Sequence, residues 1–281
     1  MAPTQLHPRR YIFHGHANGV SANIRRPDRR LLPVQGCSTL PVTGGLSESK
    51  IGPKKLDDLV SFEAVSSSAH GDYVDAAAGV ATTLGEVDFD AVPTETRVKS
   101  EVLGLVILGR VHIARAAVGL ISQSAVGEEQ PVIRLEGNVL EGVRIDDSRL
   151  SITLAEDFFQ DCSTMDELAT RHAAGLAVHH ARLFLPAVSG ADEFTGFDEA
   201  NGIVKVTIVQ EIRWDGEPHP TAHIDGHVVT VPDFGRIYFG EMFITGDSRR
   251  LTMVRFQLGS PTGGEVTAAE GETNGGNYPP T

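Results

Sequence analysis

The tightest constraint on this chain is the alternation in IVKVTIVQEIRW, residues Ile203–Trp214. Val204, Val206, Ile208, Ile212 and Trp214 share one parity, while Lys205, Thr207, Glu211 and Arg213 take the other. Side chains alternate across a strand, so such a set buries one face and leaves the other wet. A helix would scatter it. Two further strand-like runs follow, RIYFGEMFIT and RLTMVRFQL, joined through Gly246-Asp247-Ser248. Ile203–Leu258 therefore reads as the core of an antiparallel sheet.

Much of the remaining chain extends that reading. Leu59–Val65 is a strand pattern, whereas Ser66–Pro93, rich in Ala, Gly, Ser and Asp, predicts loops and short edge strands. In Thr96–Ser124 the glycines at 104, 109 and 119 disfavour one long helix and predict two buried strands hinged near Gly109. GVRIDDSRLSITL predicts a hairpin turning at Asp146-Asp147-Ser148, with Val143 and Ile145 facing Leu150, Ile152 and Leu154.

One helix is signalled. Thr164-Met165-Asp166-Glu167 fits a capping box, with the two acids in the first turn where the helix dipole favours them. Met165, Leu168, His172, Leu176, His179 and Leu183 recur at helical spacing and Pro186 follows, giving an amphipathic helix over about 164–185. With thirty Gly and fifteen Pro, the expected fold is mainly β. It is an antiparallel β-sandwich, or barrel-like sheets, carrying one helix. Residues 1–58 read as a basic, Pro/Gly-rich arm, 59–258 as the β domain and 259–281 as a Gly-rich tail.

Charge divides along the same line. Residues 1–60 carry nine Lys/Arg against four Asp/Glu, and the rest carries 15 against 33. An acidic body repels phosphate, which argues against nucleic acid as a partner. The arginines Arg9, Arg10, Arg25, Arg26, Arg29 and Arg30 suit carboxylates, because the guanidinium fork binds them bidentately. A basic arm docking on the acidic body of another copy, giving a homo-oligomer, is the expectation.

MAPTQLHPRR lacks the apolar core of a signal peptide. The longest apolar run, Val102–Leu108, is far short of the roughly 20 residues of a membrane span. A soluble chain is expected. Cys37 and Cys162 are too few for a disulfide scaffold and read as reduced thiols.

Candidate chemistry rests on histidine. In HPTAHIDGH, Pro220 and Gly226 oppose a helix, so Asp225-Gly226 is expected to turn a hairpin. Ile224 would then oppose His227 and His223 would oppose Val228, placing His223 and His227 on opposite faces. His172 and His179, seven residues apart, lie about 10.5 Å apart along a helix, too far to share one zinc. The acids of Ser189–Gly202 do not follow the twelve-residue calcium loop and read as a solvated loop. Glu241 is the one acid in the apolar run IYFGEMFI.

His14 and His16 in FHGHA share a strand face near enough for two ligands of one metal. This H-x-H resembles the opening of the cupin metal motif, and the resemblance implies a divalent metal in a β-barrel enzyme. Where cupins continue with a glutamate, this chain has Ala17, Asn18, Gly19 and Val20. The remaining ligands would have to come from His70, His219, His223 or Glu241. The P-loop, G-x-S-x-G and H-E-x-x-H signatures do not occur. The leading expectation is thus a non-enzymatic structural or binding β protein that self-associates. The alternative is a metal-dependent barrel enzyme using His14, His16, His219, His223 and Glu241.

Overall fold

The computed structural model describes residues 10–74, 92–125, 130–160, 162–173, 197–198 and 203–278. In chain order its strands begin with β1 (Arg10–Ile12), β2 (Gly15–Ile24), β3 (Arg30–Thr39), β4 (Gly45–Ile51), β5 (Lys54–Leu56), β6 (Val60–Phe62) and β7 (Ala64–Tyr73). Next come β8 (Thr94–Ile107), β9 (Val111–Ser124), β10 (Val132–Leu135), β11 (Val139–Glu141), β12 (Val143–Ile145) and β13 (Ser148–Leu154). The helix α1 (Met165–Ala173) precedes β14 (Phe197–Asp198), β15 (Ile203–Thr207), β16 (Val209–Asp215), β17 (His223–Asp225) and β18 (Val228–Val231). Four more strands complete the order: β19 (Gly235–Ile244), β20 (Ser248–Leu258), β21 (Gly264–Asn274) and β22 (Gly276–Tyr278).

The strands form two large antiparallel sheets packed as a sandwich, without a closed barrel. One runs β16-β13-β12-β9-β8-β6-β5, with β7 between β8 and β4 and with β10 and β11 also on β9. The other runs β14-β15-β19-β20-β21-β2-β3, with β18 beside β19 and β17 beside β18. The core lies where β2, β20 and β21 pack on β7, β8 and β9. Val98, Val102, Leu105, Leu120, Leu251 and Phe256 are wholly buried there. Each such side chain contributes about 1.5–3 kcal/mol through removal of its apolar surface from water.

The hinge near Gly109 is present as the turn between β8 and β9, and the Val143–Leu154 hairpin forms with Val143 opposite Leu150. The capping box is also present. Thr164 Oγ1 accepts the Glu167 N–H at 3.2 Å, and Glu167 Oε2 accepts the Thr164 N–H at 3.2 Å. Of the expected helix, Met165–Ala173 is described and carries His172; the remainder to 185, with His179, lies outside the described residues. The acidic loop falls largely outside them too, apart from Asp198 in β14.

Three expectations are corrected. Residues 10–58 are not an arm: they supply β1–β5, and β2 sits inside its sheet between β21 and β3. Nor is 259–278 a loose tail, because β21 is a central strand whose Val266, Ala268 and Ala269 are wholly buried. Residues 64–73 form a ten-residue strand paired on both sides rather than loops. The cause is shared: small residues are needed where the sheets approach most closely. A Cβ on Gly19 would lie 2.0 Å from Val65 Cγ1. Such strands are apolar by contact rather than by large side chains, and they escape a hydrophobicity pattern.

The run Ile203–Trp214 is also not one strand. It leaves the nine-stranded sheet as β15 and enters the eleven-stranded sheet as β16, with Thr207, Ile208 and Val209 all buried at the corner. The Ile208 N–H bonds to the Gly240 carbonyl at 2.8 Å, and the Ile208 carbonyl accepts from Ala155 at 2.7 Å. Strands that switch sheets in this way make the corners of a sandwich.

Candidate functional site

The five metal candidates occupy separate places. His14 is exposed and His16 half-buried at the start of β2, their ring centroids 5.8 Å apart, with His16 Nε2 3.5 Å from Glu272 Oε2. His223 is exposed on the short strand β17. The turn there slips by one residue from the expected one: Asp225 pairs with Val228 and His223 with Thr230, so Gly226 and His227 are its central residues. Gly226, at φ +58°, supplies the conformation that a tight hairpin needs. His223 and His227 are nevertheless apart, one in solvent and the other buried. Among the described residues, no three or more His, Cys, Asp or Glu gather as a metal-binding group.

His219 lies at one end of the sandwich, its ring stacked 6.3 Å from that of Trp214. Its Nε2 is 3.1 Å from Asp146 Oδ2, and its Nδ1 accepts the backbone N–H groups of Thr221 and Ala222 at 3.2 and 3.0 Å. Two donors on Nδ1 assign the hydrogen to Nε2, which donates to Asp146. Both ring nitrogens are occupied, so His219 is committed to holding the loop. Asp146 also receives Arg110 bidentately at 2.9 and 2.6 Å. That bond holds its carboxyl down at about 2, against partial burial and with help from His219. Arg110 in turn lies 5.8 Å above the Phe234 ring, tying the two sheets together.

Glu241 is the buried acid that the sequence singled out. Its side chain, on β19, receives Arg255 Nε and Nη2 at 2.6 and 3.0 Å, with Lys205 Nζ at 3.8 Å and His227 Nε2 at 3.6 Å. Burial pushes this carboxyl up, but the histidine, Arg255 and Lys205 outweigh it and bring it down to about 2. At 3.6 Å the His227 contact exceeds a hydrogen bond, so Arg255 does most of the holding. Arg255 is itself pinned 3.8 Å over the Tyr238 ring, whose hydroxyl donates to Gln257 at 3.0 Å. Glu241 is thus a fixed anion, not a proton carrier.

The arginines expected on an arm cap a turn. Arg9 lies outside the described residues and Arg10 is in β1, paired with Tyr278. Arg25, Arg26, Arg29 and Arg30 stay exposed around the β2–β3 connection, where Arg30 bonds Asp57 at 2.9 Å. Cys37 is an exposed thiol; Cys162 is buried, its thiol donating to the Phe158 carbonyl at 3.5 Å.

Two features escaped sequence reasoning. Arg249 is only 1% exposed and donates to the carbonyls of Gly246 and Asp247 at 2.7 and 3.2 Å, stapling the β19–β20 turn. Burial lowers it to about 10, with Tyr11 and Asp247 pulling the other way. The second feature is a groove of about 680 Å³ on the outer face of the eleven-stranded sheet, lined among others by His112, Arg144, Arg149 and Asp215. These four form one cross-strand row, because His112 pairs with Arg144, Arg144 with Arg149 and Arg149 with Asp215. The expected hairpin turn carried the signal that could have found the facing arginines, since its register sets Arg144 opposite Arg149.

Among the described residues, no helix is long and apolar enough to cross a membrane. Comparison with curated proteins and with solved structures found no match. Residues 11–190 and 187–245 match the model of a family described as a domain of unknown function, DUF8256. With most of its length covered, the chain belongs to the DUF8256 family.

Proposed function

We propose that this protein is a non-enzymatic structural or binding β-sandwich that associates with a second copy of itself through the edge strand β4. The observation that carries the reading is the charge order on that edge. β4 pairs with β7 along Gly45–Ile51 and leaves its other side unpaired among the described residues. A free edge is a template for another strand, and chains commonly blunt it with charged side chains, lysine above all. Here Glu48 and Lys50 are both exposed and flank Ser49. In an antiparallel pair centred on Ser49, each Glu48 faces the Lys50 of the other copy. That is the self-complementary pattern a two-fold interface requires.

Apolar surface supports the same place. Leu46, 61% exposed, stands on β4; Val42, four residues before it in the chain, is exposed too, and the Phe13 N–H bonded to the Val42 carbonyl at 3.0 Å brings exposed Ile12 near Val42. The buried carboxylate of Glu241 and the half-buried one of Asp146 are each held by an arginine, which suits structure better than proton transfer. Sedimentation of the intact chain tests the proposal. The expected result is a dimer that Glu48→Lys converts to monomer; a monomer at every concentration overturns it.

A further inference from the structure

We propose that the groove on the outer face of the eleven-stranded sheet is a binding site for a phosphate-bearing small ligand, gripped by Arg144 and Arg149. This goes beyond self-association and uses a different surface. The two arginines sit directly opposite each other on β12 and β13, both exposed. Directly opposed residues have Cβ atoms about 4.5–5.5 Å apart, a spacing at which like charges oppose each other. Some arginines are matched by acids elsewhere, as Arg255 is by Glu241, Arg110 by Asp146, and Arg115 by Glu101 at 2.7 Å. Exposed Arg25, Arg26 and Arg29 make no ion pair among the described residues, but they do not face one another across a strand pair as Arg144 and Arg149 do. Arg144 and Arg149 make no ion pair and no side-chain hydrogen bond among the described residues. Asp215 is next to Arg149 in register without reaching it.

The setting fits a ligand. The groove is concave and large enough for a small molecule, and its floor is fixed by the buried residues Leu105, Ile113 and Val143 of β8, β9 and β12. His112, on the other side of Arg144, has Nε2 3.3 Å from the Gly109 carbonyl, and its Nδ1 has no hydrogen-bond partner among the described residues. Two guanidinium forks side by side can grip a tetrahedral oxyanion from two directions, a geometry that a single carboxylate fills less completely. The acids Glu63, Glu141 and Asp215 also line the groove, so the phosphate sits at its centre and a cationic or hydroxylated part of the ligand can meet the acids.

Calorimetric titration of the intact chain with inorganic phosphate, at constant ionic strength, tests this. Binding in the millimolar range or tighter is expected, weakened at least about tenfold in the Arg144→Gln/Arg149→Gln double variant. Acetate, the carboxylate arm, is expected to bind more weakly than phosphate. The same titration followed by NMR on the unsubstituted chain should move the His112 ring resonances and leave those of exposed His223 in place. No phosphate binding, equal binding by the double variant, acetate binding as tightly as phosphate, or no response at His112 would each overturn the assignment.

Discussion

Two charge clusters, one on each sheet, are built in opposite ways. On the nine-stranded sheet, Glu241, Arg255 and Lys205 neutralise one another beneath the Tyr238 ring, with side chains that are at most 17% exposed. On the eleven-stranded sheet, Arg144 and Arg149 face each other in a groove and Glu48 and Lys50 line a free edge, all exposed. Charges matched within the chain belong to the fold. Charges left unmatched in ordered positions are where another molecule can add energy. On the proposals above, the exposed charges of the eleven-stranded sheet serve binding, and the buried Glu241 cluster of the nine-stranded sheet serves stability.

The largest effect should come from breaking the matched pair. Arg255→Met strands the Glu241 carboxylate under buried surface and should cost about 3–5 kcal/mol in denaturant unfolding. Replacing both partners with methionine should recover most of that loss, because the stranded charge, not the missing attraction, dominates. An equal loss in the double variant would contradict the assignment of Glu241 as a structural anion.

A smaller effect should appear in acid. Glu241 has a folded value of about 2 against 4.5 for the free group. Its stabilisation is therefore complete above about pH 4.5 and is lost as pH falls toward 2. The size is on the order of 2–3 kcal/mol. Unfolding free energies measured across that window should fall in the parent chain, and Glu241→Gln should flatten much of the slope. The smallest effect belongs to the groove: Arg149→Gln should change stability by less than about 0.5 kcal/mol in phosphate-free buffer, measured by thermal unfolding. A large loss there would place Arg149 in the fold and dissolve the contrast between the sheets.

Within both layers the strands were unequally legible in the sequence. Large alternating residues announced β19 and β20, and glycine at 109 announced the β8–β9 hinge. The strand β2 announced itself only through the strand face of His14 and His16, and β7 beyond Val65 and β21 did not announce themselves. At Gly15, Gly19 and Gly271 an added Cβ would already meet the facing strand, and Ala69 and Ala268 are wholly buried, so size-based patterning read these segments as arm, loop and tail. Glu241 stood out as a lone acid in an apolar run, but its partner Arg255 depended on strand register. The slip of one residue at Gly226-His227 shows how little pattern alone fixes that register. The sheet change at Ile208 had one visible trace, because Val209 breaks the parity of the run.

The central claim is self-association through β4, and a charge-swap series at that edge tests it most directly. Mass measured by light scattering should give a dimer for the parent chain and monomers for Glu48→Lys and Lys50→Glu alone. The combined Glu48→Lys/Lys50→Glu chain should be dimeric again, since each new lysine meets a new glutamate of the partner. Singles that remain dimeric, or a combined variant that remains monomeric, would contradict pairing through β4.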